Sequence, residues 1–345
     1  MSETKQKIRL DEVTLMRCIL ALLIVFMHSF TCYNGSWRAP DGFVDVPLYK
    51  WLTRISFACT LEAFVFISGY LFAFQRITLK RMGVDKCLIF NKLKRLILPS
   101  IIFSTIYFVI FYEFKGWGEM IYAIINGCGH LWFLPMLFWC FIGCWLLLKV
   151  NCKEIYKVVF LVMLNIFPTP SLPLRITSAF SFMLYFYSGY LVYQHRSEIS
   201  NWLNAKRLML VWTGAVVFFA VFRPLRDLVA VNDSMGMIQK VCAITADNIF
   251  HILYAGAALS AFYFTALNYV QNHTLRNFTI KLAGCCFGIY IFQQFVLQYL
   301  YYKTSFPTLV GPYWLPWCGF IIATVVSYGL TILLLKTKTG KFLIG

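Results

Sequence analysis

The first apolar stretch of the chain runs from Met16 to Phe30 and carries an arginine at one end, Arg17, and a histidine near the other, His28. They are eleven positions apart, about three turns of an α-helix, so both side chains share one face and lie about 16 Å apart along the axis. Such groups are costly in a bilayer and are tolerated mainly where they face a protein interior or a wet cavity. Arg17 and His28 are therefore candidate functional residues. The alternatives are an arginine that reaches the membrane interface and a histidine buried in a core.

Polar side chains recur in the later apolar segments, and each needs a partner or a cavity. The candidates are Glu62 and Ser68 in the second segment, His130 and Trp132 at the start of the fourth, and Asp247 and His251 in the eighth. We expect Glu62 to pair with Arg54 or with a group on another helix. Asp247 and His251, at positions i and i+4 on one face, either line the same cavity as His28 or serve as helix-cap and interhelix residues. For Ser68 the alternative is close helix packing through Ser68-Gly69.

A basic segment, residues 76–95, separates the second and third apolar segments and ends in Lys92, Lys94 and Arg95 before Pro99. Attraction to anionic headgroups and the control of topology explain most of its basic residues. A guanidinium at the mouth of the third helix can also hold a phosphate through two parallel hydrogen bonds. Lys92 and Arg95 are therefore candidates for binding a phosphate-bearing ligand from the cytosol.

The composition indicates an all-α, polytopic membrane protein. Of the 345 residues 60% are hydrophobic and only 13% are charged, against roughly 25% charged in soluble domains. The net charge of +17 does not indicate a nucleic-acid-binding protein, because the basic residues lie between apolar segments rather than on one soluble domain. Positive-inside topology explains them better.

Ten apolar segments are long enough to be considered membrane spans. They fall at 14–33, 51–75, 96–112, 130–149, 156–174, 176–194, 208–222, 248–270, 282–302 and 313–335. With both termini in the cytoplasm, about two-thirds of the 31 lysines and arginines lie on inner segments, as the positive-inside rule requires. Omitting the fifth segment, which is crowded by prolines, would reverse the later half and place basic segments outside. We therefore predict ten spans in a single membrane domain, residues 1–345.

The sequence lacks the patterns of other familiar sites. Its twelve cysteines are scattered, mostly within or beside apolar segments, and show no metal-ligand spacing, so we expect no metal. No GxSxG elbow, Walker loop, dinucleotide-binding GxGxxG or HExxH motif is present. Any chemistry must therefore use the histidines and a donor that brings its own leaving group.

Six landmarks, taken together and in this order, resemble the integral-membrane acyltransferase-3 family, O-acyltransferases that modify cell-envelope glycans. They are Arg17 and His28 at an R-x10-H spacing, FVFISGYLF at 64–72, KLKRLILP at 92–99, GHLWFLPML at 129–137, FSFMLYFYSGYLV at 180–192 and CFGIYIFQQFVL at 286–297. The resemblance covers nearly the whole chain and implies a bundle of ten helices.

Two positions depart from the family pattern. The family often has SFGIYLxH near the last-but-one landmark, and this chain has Cys286 and Gln293 at the aligned serine and histidine. The basic positions before the LxxP turn often read Arg-x-x-Arg, and here they are Lys92 and Arg95. The first departure indicates either that position 293 is not essential for proton transfer or that this branch has diverged in substrate or activity. The second keeps the charge but loses one bidentate fork.

The resemblance implies transfer of an acyl group, most simply acetyl, from cytosolic acyl-CoA to a hydroxyl of an envelope glycan or glycolipid. On this interpretation acyl-CoA is a co-substrate rather than a bound cofactor. Arg17, Lys92 and Arg95 meet its phosphates. His28 acts as general base on the acceptor hydroxyl or as a nucleophile that carries the acyl group.

The remaining candidates belong to the acceptor side of the reaction in this interpretation. His130 or Trp132 positions the acceptor or stabilises the oxyanion. The predicted substrate-binding set is Glu62, Ser68, Trp132, Asp247, His251 and Tyr290. The predicted location is the bacterial inner membrane, with the lipid bilayer and no nucleic acid as partners, and a monomer and a homo-oligomer are both compatible with the sequence.

Two other classes of protein also fit part of the pattern. Intramembrane Arg, His and Glu residues suit a polysaccharide exporter or a proton-coupled transporter as well as an enzyme. Two broken helices in corresponding halves would favour transport, and the sequence contains no such pair. A purely structural scaffold explains the topology but not the polar residues along the first helix.

Overall fold

The computed structural model describes residues 10–80, 87–170, 172–232, 235–272 and 276–345. These residues form helices and no β-strand, which confirms the predicted all-α class. Sixteen α-helices are numbered here in chain order. They are α1 Asp11–Ser29, α2 Pro47–Ser56, α3 Thr60–Ile77, α4 Leu88–Lys92, α5 Leu98–Phe111, α6 Trp117–Asn126, α7 Phe133–Leu147, α8 Glu154–Ile166, α9 Ile176–Gln194, α10 Arg196–Trp202, α11 Ala205–Leu228, α12 Met237–Asn272, α13 Arg276–Tyr302, α14 Phe306–Val310, α15 Leu315–Leu335 and α16 Lys338–Ile344.

Eight helical stretches in the described part of the chain are long and apolar enough to cross a membrane. They match eight of the ten predicted segments, so the chain is a multi-pass membrane protein. The other two segments, 156–174 and 176–194, contain α8 and α9. α8 has 13 residues, about 20 Å of helix, which is shorter than a bilayer core. α9 has 19 residues, but hydroxyl-bearing side chains lower its hydropathy.

The second predicted segment, 51–75, is two helices rather than one. α2 ends at Ser56 and α3 begins at Thr60, and the hydroxyl of Thr60 donates to the carbonyl oxygen of Ser56 across the break. Hydrogen bonds from Ser and Thr hydroxyls to nearby backbone oxygens compete with the backbone hydrogen bonds of a continuous helix. The break places Glu62 in the first turn of α3.

Helix α1 lies inside the bundle and contacts α3, α12, α13 and α15. Its residues Met16, Leu20, Ala21 and Val25 are completely buried. A helix whose apolar residues face protein on several sides can carry polar groups without exposing them to lipid. α1 is therefore the element that holds Arg17 and His28 in the protein interior.

A π-helical turn, Leu93–Ile97, joins α4 to α5. Here the N–H of Leu98 donates to the carbonyl oxygen of Leu93, five residues earlier. Pro99 follows directly and has no N–H to donate, so the regular ladder could not continue through it. Such π-turns are rare and often occur at functional sites. This one carries the basic residues Lys94 and Arg95.

Helices α3 and α9 cross in contact at two glycines. A Cβ atom on Gly69 would overlap the carbonyl oxygen of Phe186, and a Cβ on Gly189 would overlap that of Phe66. Each glycine therefore packs against the backbone of the opposite helix, and the two Ser-Gly-Tyr sequences, at 68–70 and 188–190, meet each other. Close helix packing, the alternative given for Ser68-Gly69, is therefore seen at Gly69.

Replacing either glycine by alanine should force α3 and α9 apart, because the new methyl group would meet backbone rather than a flexible side chain. We expect Gly69→Ala and Gly189→Ala each to reduce stability by about 1–3 kcal/mol, measured as a lower melting temperature of the purified protein. Gly214→Ala in α11 is the matched control, since a methyl group at this position would meet no neighbouring atom within 4 Å. Equal melting temperatures for all three variants would contradict the close crossing.

Candidate active site

Arg17 and His28 lie at opposite ends of α1, as the sequence predicts. Arg17 Nη2 donates to the carbonyl oxygen of Ala283 on α13, at 3.3 Å. The His28 ring stacks on Trp37, with 5.8 Å between ring centroids and 10° between planes. It also meets the ring of His130 edge to face at 6.2 Å. The structure therefore brings the two predicted histidines, His28 and His130, together as a pair.

The hydrogen bonds of His130 determine which of its nitrogens carries a proton. Its Nε2 lies 3.0 Å from the carbonyl oxygen of Ile291, which can only accept, so in the neutral ring Nε2 carries the hydrogen and Nδ1 is an acceptor. The backbone N–H of His130 donates to Gln294 Oε1 at 2.9 Å, and the Tyr290 hydroxyl donates to the His130 carbonyl oxygen at 2.6 Å. Tyr290 and Gln294 thus hold the His130 backbone, and Ile291 orients its ring.

Several buried polar atoms around the histidine pair have no hydrogen-bond partner among the described residues. They are Nδ1 of His28, Nδ1 of His130 and both amide atoms of Gln293. Gln293 is completely buried, and its amide lies next to the His28 ring, close enough to interact with it but without the geometry of a regular hydrogen bond. A buried polar group without a partner costs about 1–3 kcal/mol, so this concentration of them at one place is characteristic of a site that binds a polar group.

Two adjoining cavities run from the end of the bundle that holds Lys92, Lys94 and Arg95, here called the basic end, toward the histidine pair. The larger, about 630 Å³, is lined by Arg17, Lys92 and Arg95. The smaller, about 150 Å³, reaches Ile24 and Tyr290. Residues that line both cavities are Arg17, Phe64, Ser68, Leu96, Leu137 and Phe287. The cavities place predicted donor-binding residues and Tyr290 along one path.

The three basic residues at the basic end differ in their surroundings. The Lys92 ammonium lies 3.4 Å from the centroid of the Phe141 ring, and Arg95 Nη2 donates to the carbonyl oxygen of Gly345 at 2.9 Å. Both side chains line the larger cavity. The Lys94 ammonium instead lies 4.4 Å from the Phe342 ring centroid, and Lys94 is not among the residues that line the cavity.

Glu62, Asp247 and His251 also come together, in a second cluster that Arg226 on α11 completes. Arg226 forms a two-pronged ion pair with Asp247, with Nε to Oδ1 at 2.5 Å and Nη2 to Oδ2 at 2.7 Å. Its Nη1 lies 2.9 Å from His251 Nδ1. Arginine only donates, so Nδ1 accepts and His251 Nε2 donates to Glu62 Oε1, at 2.7 Å. The cluster thus links α3, α11 and α12.

The partner of Glu62 comes from another helix, which is one of the two pairings expected for it, and not from Arg54. This partner is His251, whereas Arg54 pairs with Asp227 at 2.7 Å. The sequence interpretation did not identify Arg226 as a candidate residue. The signal was present, because Asp247 in an apolar segment needs a cationic partner. Finding that partner requires knowing that α11 and α12 are neighbours.

His130 lies in a short 3₁₀ helix, Gly129–Trp132, which Trp132 ends and Cys128 directly precedes. The Trp132 ring meets the Phe133 ring edge to face, with 6.3 Å between centroids, and lies tilted against the Phe182 ring, with 6.1 Å between centroids. Burial raises the pKa of the Cys128 thiol to about 11. That thiol therefore remains protonated at neutral pH and is a poor nucleophile, which leaves the imidazoles as the basic groups at this site.

Comparison with known proteins agrees with this geometry. The family described as "Acyltransferase domain" (Acyl_transf_3) matches residues 10–336. The chain therefore belongs to this acyltransferase family, and its resemblance to the acyltransferase-3 family, stated above, is confirmed. None of the curated proteins and none of the solved structures compared with the chain matches it.

Removing the Arg226 side chain should destabilise the bundle, because it would leave Asp247 without its partner and His251 Nδ1 without its charged donor. We expect Arg226→Ala to reduce stability by roughly 2–3 kcal/mol. The figure is lower than for a fully buried pair because the Arg226 and Asp247 side chains are 26% and 31% exposed. The measurement is the melting temperature in detergent. Lys206→Ala, at an exposed position of the same helix, is the control, and equal losses in both variants would show that the cluster is not specifically stabilising.

Proposed function

We propose that this protein is a membrane O-acyltransferase that moves an acyl group, most simply acetyl, from cytosolic acyl-CoA to a hydroxyl of an envelope glycan or glycolipid. The acyltransferase family membership supports the reaction class. The observation that carries the proposal is a pair of imidazoles, each with a buried Nδ1 that has no hydrogen-bond partner among the described residues. The His130 ring lies 5.1 Å from the ring of Tyr290, at one end of the two adjoining cavities, and arginine and lysine line the other end.

The donor would bind from the basic end. CoA carries its negative charges on phosphates at one end and its thioester at the other, with a long arm between them. Lys92, Arg95 and Arg17 line the larger cavity, and charge-assisted hydrogen bonds to phosphate are among the strong ones. The smaller cavity then leads along Ser68 to Tyr290, a path that suits the arm and brings the thioester near the histidines.

His28 would act as general base on the acceptor hydroxyl. The imidazole takes the hydroxyl proton, and the oxygen forms a bond to the thioester carbonyl carbon. The carbon–sulfur bond then breaks, and the CoA sulfur leaves with a proton returned from His28. The His130 Nδ1 atom, as an acceptor, can hold the acceptor hydroxyl in place. In the neutral ring this nitrogen carries no hydrogen, so it cannot donate to an oxyanion. Of the two roles that the sequence predicted for His130, this proposal therefore keeps positioning of the acceptor and drops stabilisation of the oxyanion.

The two substrates would approach from opposite membrane sides. α1 has Arg17 near its start and His28 near its end, about 16 Å apart, and the predicted topology puts the basic end in the cytoplasm. The setting is the bacterial inner membrane, and the acyl group crosses while CoA stays inside.

Replacing His28 should abolish acyl transfer, because His28 is the group that takes the hydroxyl proton in this proposal, while His130 Nδ1 holds the acceptor hydroxyl in place. The measurement uses sealed inside-out vesicles given labelled acetyl-CoA on the exposed cytoplasmic face. The wild-type protein should release CoA on that face and accumulate label on acceptor inside the vesicle. We expect His28→Ala to lose both signals while remaining in the membrane at normal abundance.

Two outcomes would contradict the proposal. Near wild-type transfer by His28→Ala would exclude His28 as the base. Acceptor that crosses the membrane with no donor present, without release of CoA, would instead identify an exporter. His195→Ala is the matched histidine control, because His195 is exposed and lies outside the site.

Charge removal at the basic end should weaken donor binding more than it slows the chemical step. Each charge-assisted hydrogen bond lost from Arg17 or Arg95 costs about 1.5–3 kcal/mol, so Arg17→Ala and Arg95→Ala should each raise the KM for acetyl-CoA by about 10- to 100-fold. Lys94→Ala is the matched control from the same segment, since Lys94 packs on Phe342. An unchanged donor KM in Arg17→Ala/Arg95→Ala would exclude this phosphate site.

A further inference from the structure

A second opening lies at the opposite end of the bundle, on the other side of the histidine pair. It is a cleft of about 380 Å³, here called the arginine cleft. Its lining includes Tyr112, Glu119, Tyr122, Gly129 and Arg175. The cleft and the basic end lie at opposite ends of α5, which starts at Leu98 and ends at Phe111, about 20 Å of helix.

The arginine cleft adjoins the histidine pair through the chain itself. Gly129 lines the cleft and directly precedes His130. Its φ angle is +52°, and a Cβ atom there would lie 2.9 Å from Cζ of Tyr107 and 3.2 Å from Nε2 of Gln294. A glycine therefore lets the backbone pass between the cleft and the residues that hold His130.

Arg175 is held in the cleft by several contacts. Its Nε donates to the carbonyl oxygen of Asn126 at 3.0 Å, and its guanidinium carbon lies 5.9 Å from the Trp132 ring centroid. Arg175 and Leu174 both have φ of 59°, which is unfavourable for residues other than glycine and is concentrated at functional sites. Trp139 secures this conformation by donating to the Leu174 carbonyl oxygen at 3.0 Å.

The chemistry of the lining favours a neutral, hydroxyl-rich ligand. Arg175 supplies N–H donors and Glu119, which also pairs with Lys115 at 4.0 Å, supplies carboxylate acceptors. The lining therefore offers both donors and acceptors to a ligand and holds one charge of each sign. Tyr112 and Tyr122 add ring faces for the apolar C–H surface of such a ligand, and their hydroxyls can donate or accept. A sugar ring combines these two kinds of surface.

We propose that the arginine cleft is the acceptor subsite and binds one neutral sugar unit, with Arg175 and Glu119 contacting its hydroxyls. Calling the sugar the acceptor rests on the proposed function, and the cleft suits that role because its lining includes Gly129, the residue before His130. Arg175 is then a substrate-binding residue, and it belongs to none of the sequence landmarks.

Direct binding tests the cleft without requiring turnover. The protein is placed in phosphatidylcholine nanodiscs, which contain no sugar lipid, and saturation-transfer NMR is recorded with methyl glucoside, methyl N-acetylglucosaminide and methyl glucuronide. We expect at least one neutral glycoside to bind, and the glucuronide to bind no better. Loss of a charge-assisted hydrogen bond in Arg175→Ala should weaken that binding about tenfold.

Two further variants provide a second change in the cleft and a control outside it. Glu119 is exposed, with a side-chain exposure of 56%, so Glu119→Gln should fold normally and also weaken binding. Lys303→Ala removes one positive charge from an exposed position just beyond the end of α13, and should bind sugar as the wild-type protein does. No binding of any neutral glycoside, or binding by Arg175→Ala and Glu119→Gln equal to that of the wild-type protein, would overturn the proposal.

Acetyl-CoA turnover in the same preparation separates the two proposals. CoA release that persists while Arg175→Ala and Glu119→Gln bind sugar normally would overturn the cleft assignment alone. Sugar binding that depends on Arg175, without any CoA release from acetyl-CoA, would overturn the acyltransferase proposal and leave the cleft as a sugar site.

Discussion

The interior position of α1 is the constraint on which the rest of this structure depends. A helix that carries Arg17 and His28 on one face is costly to expose to lipid, and here α3, α12, α13 and α15 pack around it. Ala283 on α13 accepts from Arg17, and Trp37, beyond the end of α1, stacks on His28. The surrounding helices therefore allow α1 to combine a membrane-spanning length with two ionisable side chains.

The crossing of α3 and α9 shows a second consequence of the bilayer. Hydrophobic association between helices is weak in lipid, so close backbone contact becomes important. Gly69 and Gly189 provide that contact from both sides. α9 can then contain many hydroxyl-bearing residues and still belong to the bundle, because its partners are protein rather than lipid. The cavity residue Ser68 is positioned by the same crossing.

The features that could be predicted from the sequence are those that depend on residue types and spacing within one short stretch of the chain. Helical spacing predicted that Arg17 and His28 share α1, and small residues predicted the approach at Gly69. The features that were missed depend on contacts between distant segments. Arg226 meets Asp247 across the α11–α12 pair, and Arg175 reaches Asn126 across 49 positions of the chain. No periodicity in either segment indicates these pairings, because they arise only when the helices pack.

The two polar clusters differ in a way that bears on function. Arg226, Asp247 and His251, together with the hydroxyl of Tyr254, satisfy one another with hydrogen bonds of 2.5–2.9 Å, an arrangement that fixes helices. In this cluster only the second carboxylate oxygen of Glu62, Oε2, is buried without a partner among the described residues. His28 and His130 have neighbours on several sides, yet each retains a buried Nδ1 without a partner in the described part of the chain. An acyl transfer between substrates held at opposite ends needs unsatisfied groups only where the two meet. On the proposed function the histidine pair is that meeting point, with the donor held at the basic end and the acceptor in the arginine cleft, and only the acyl group passes from one side to the other.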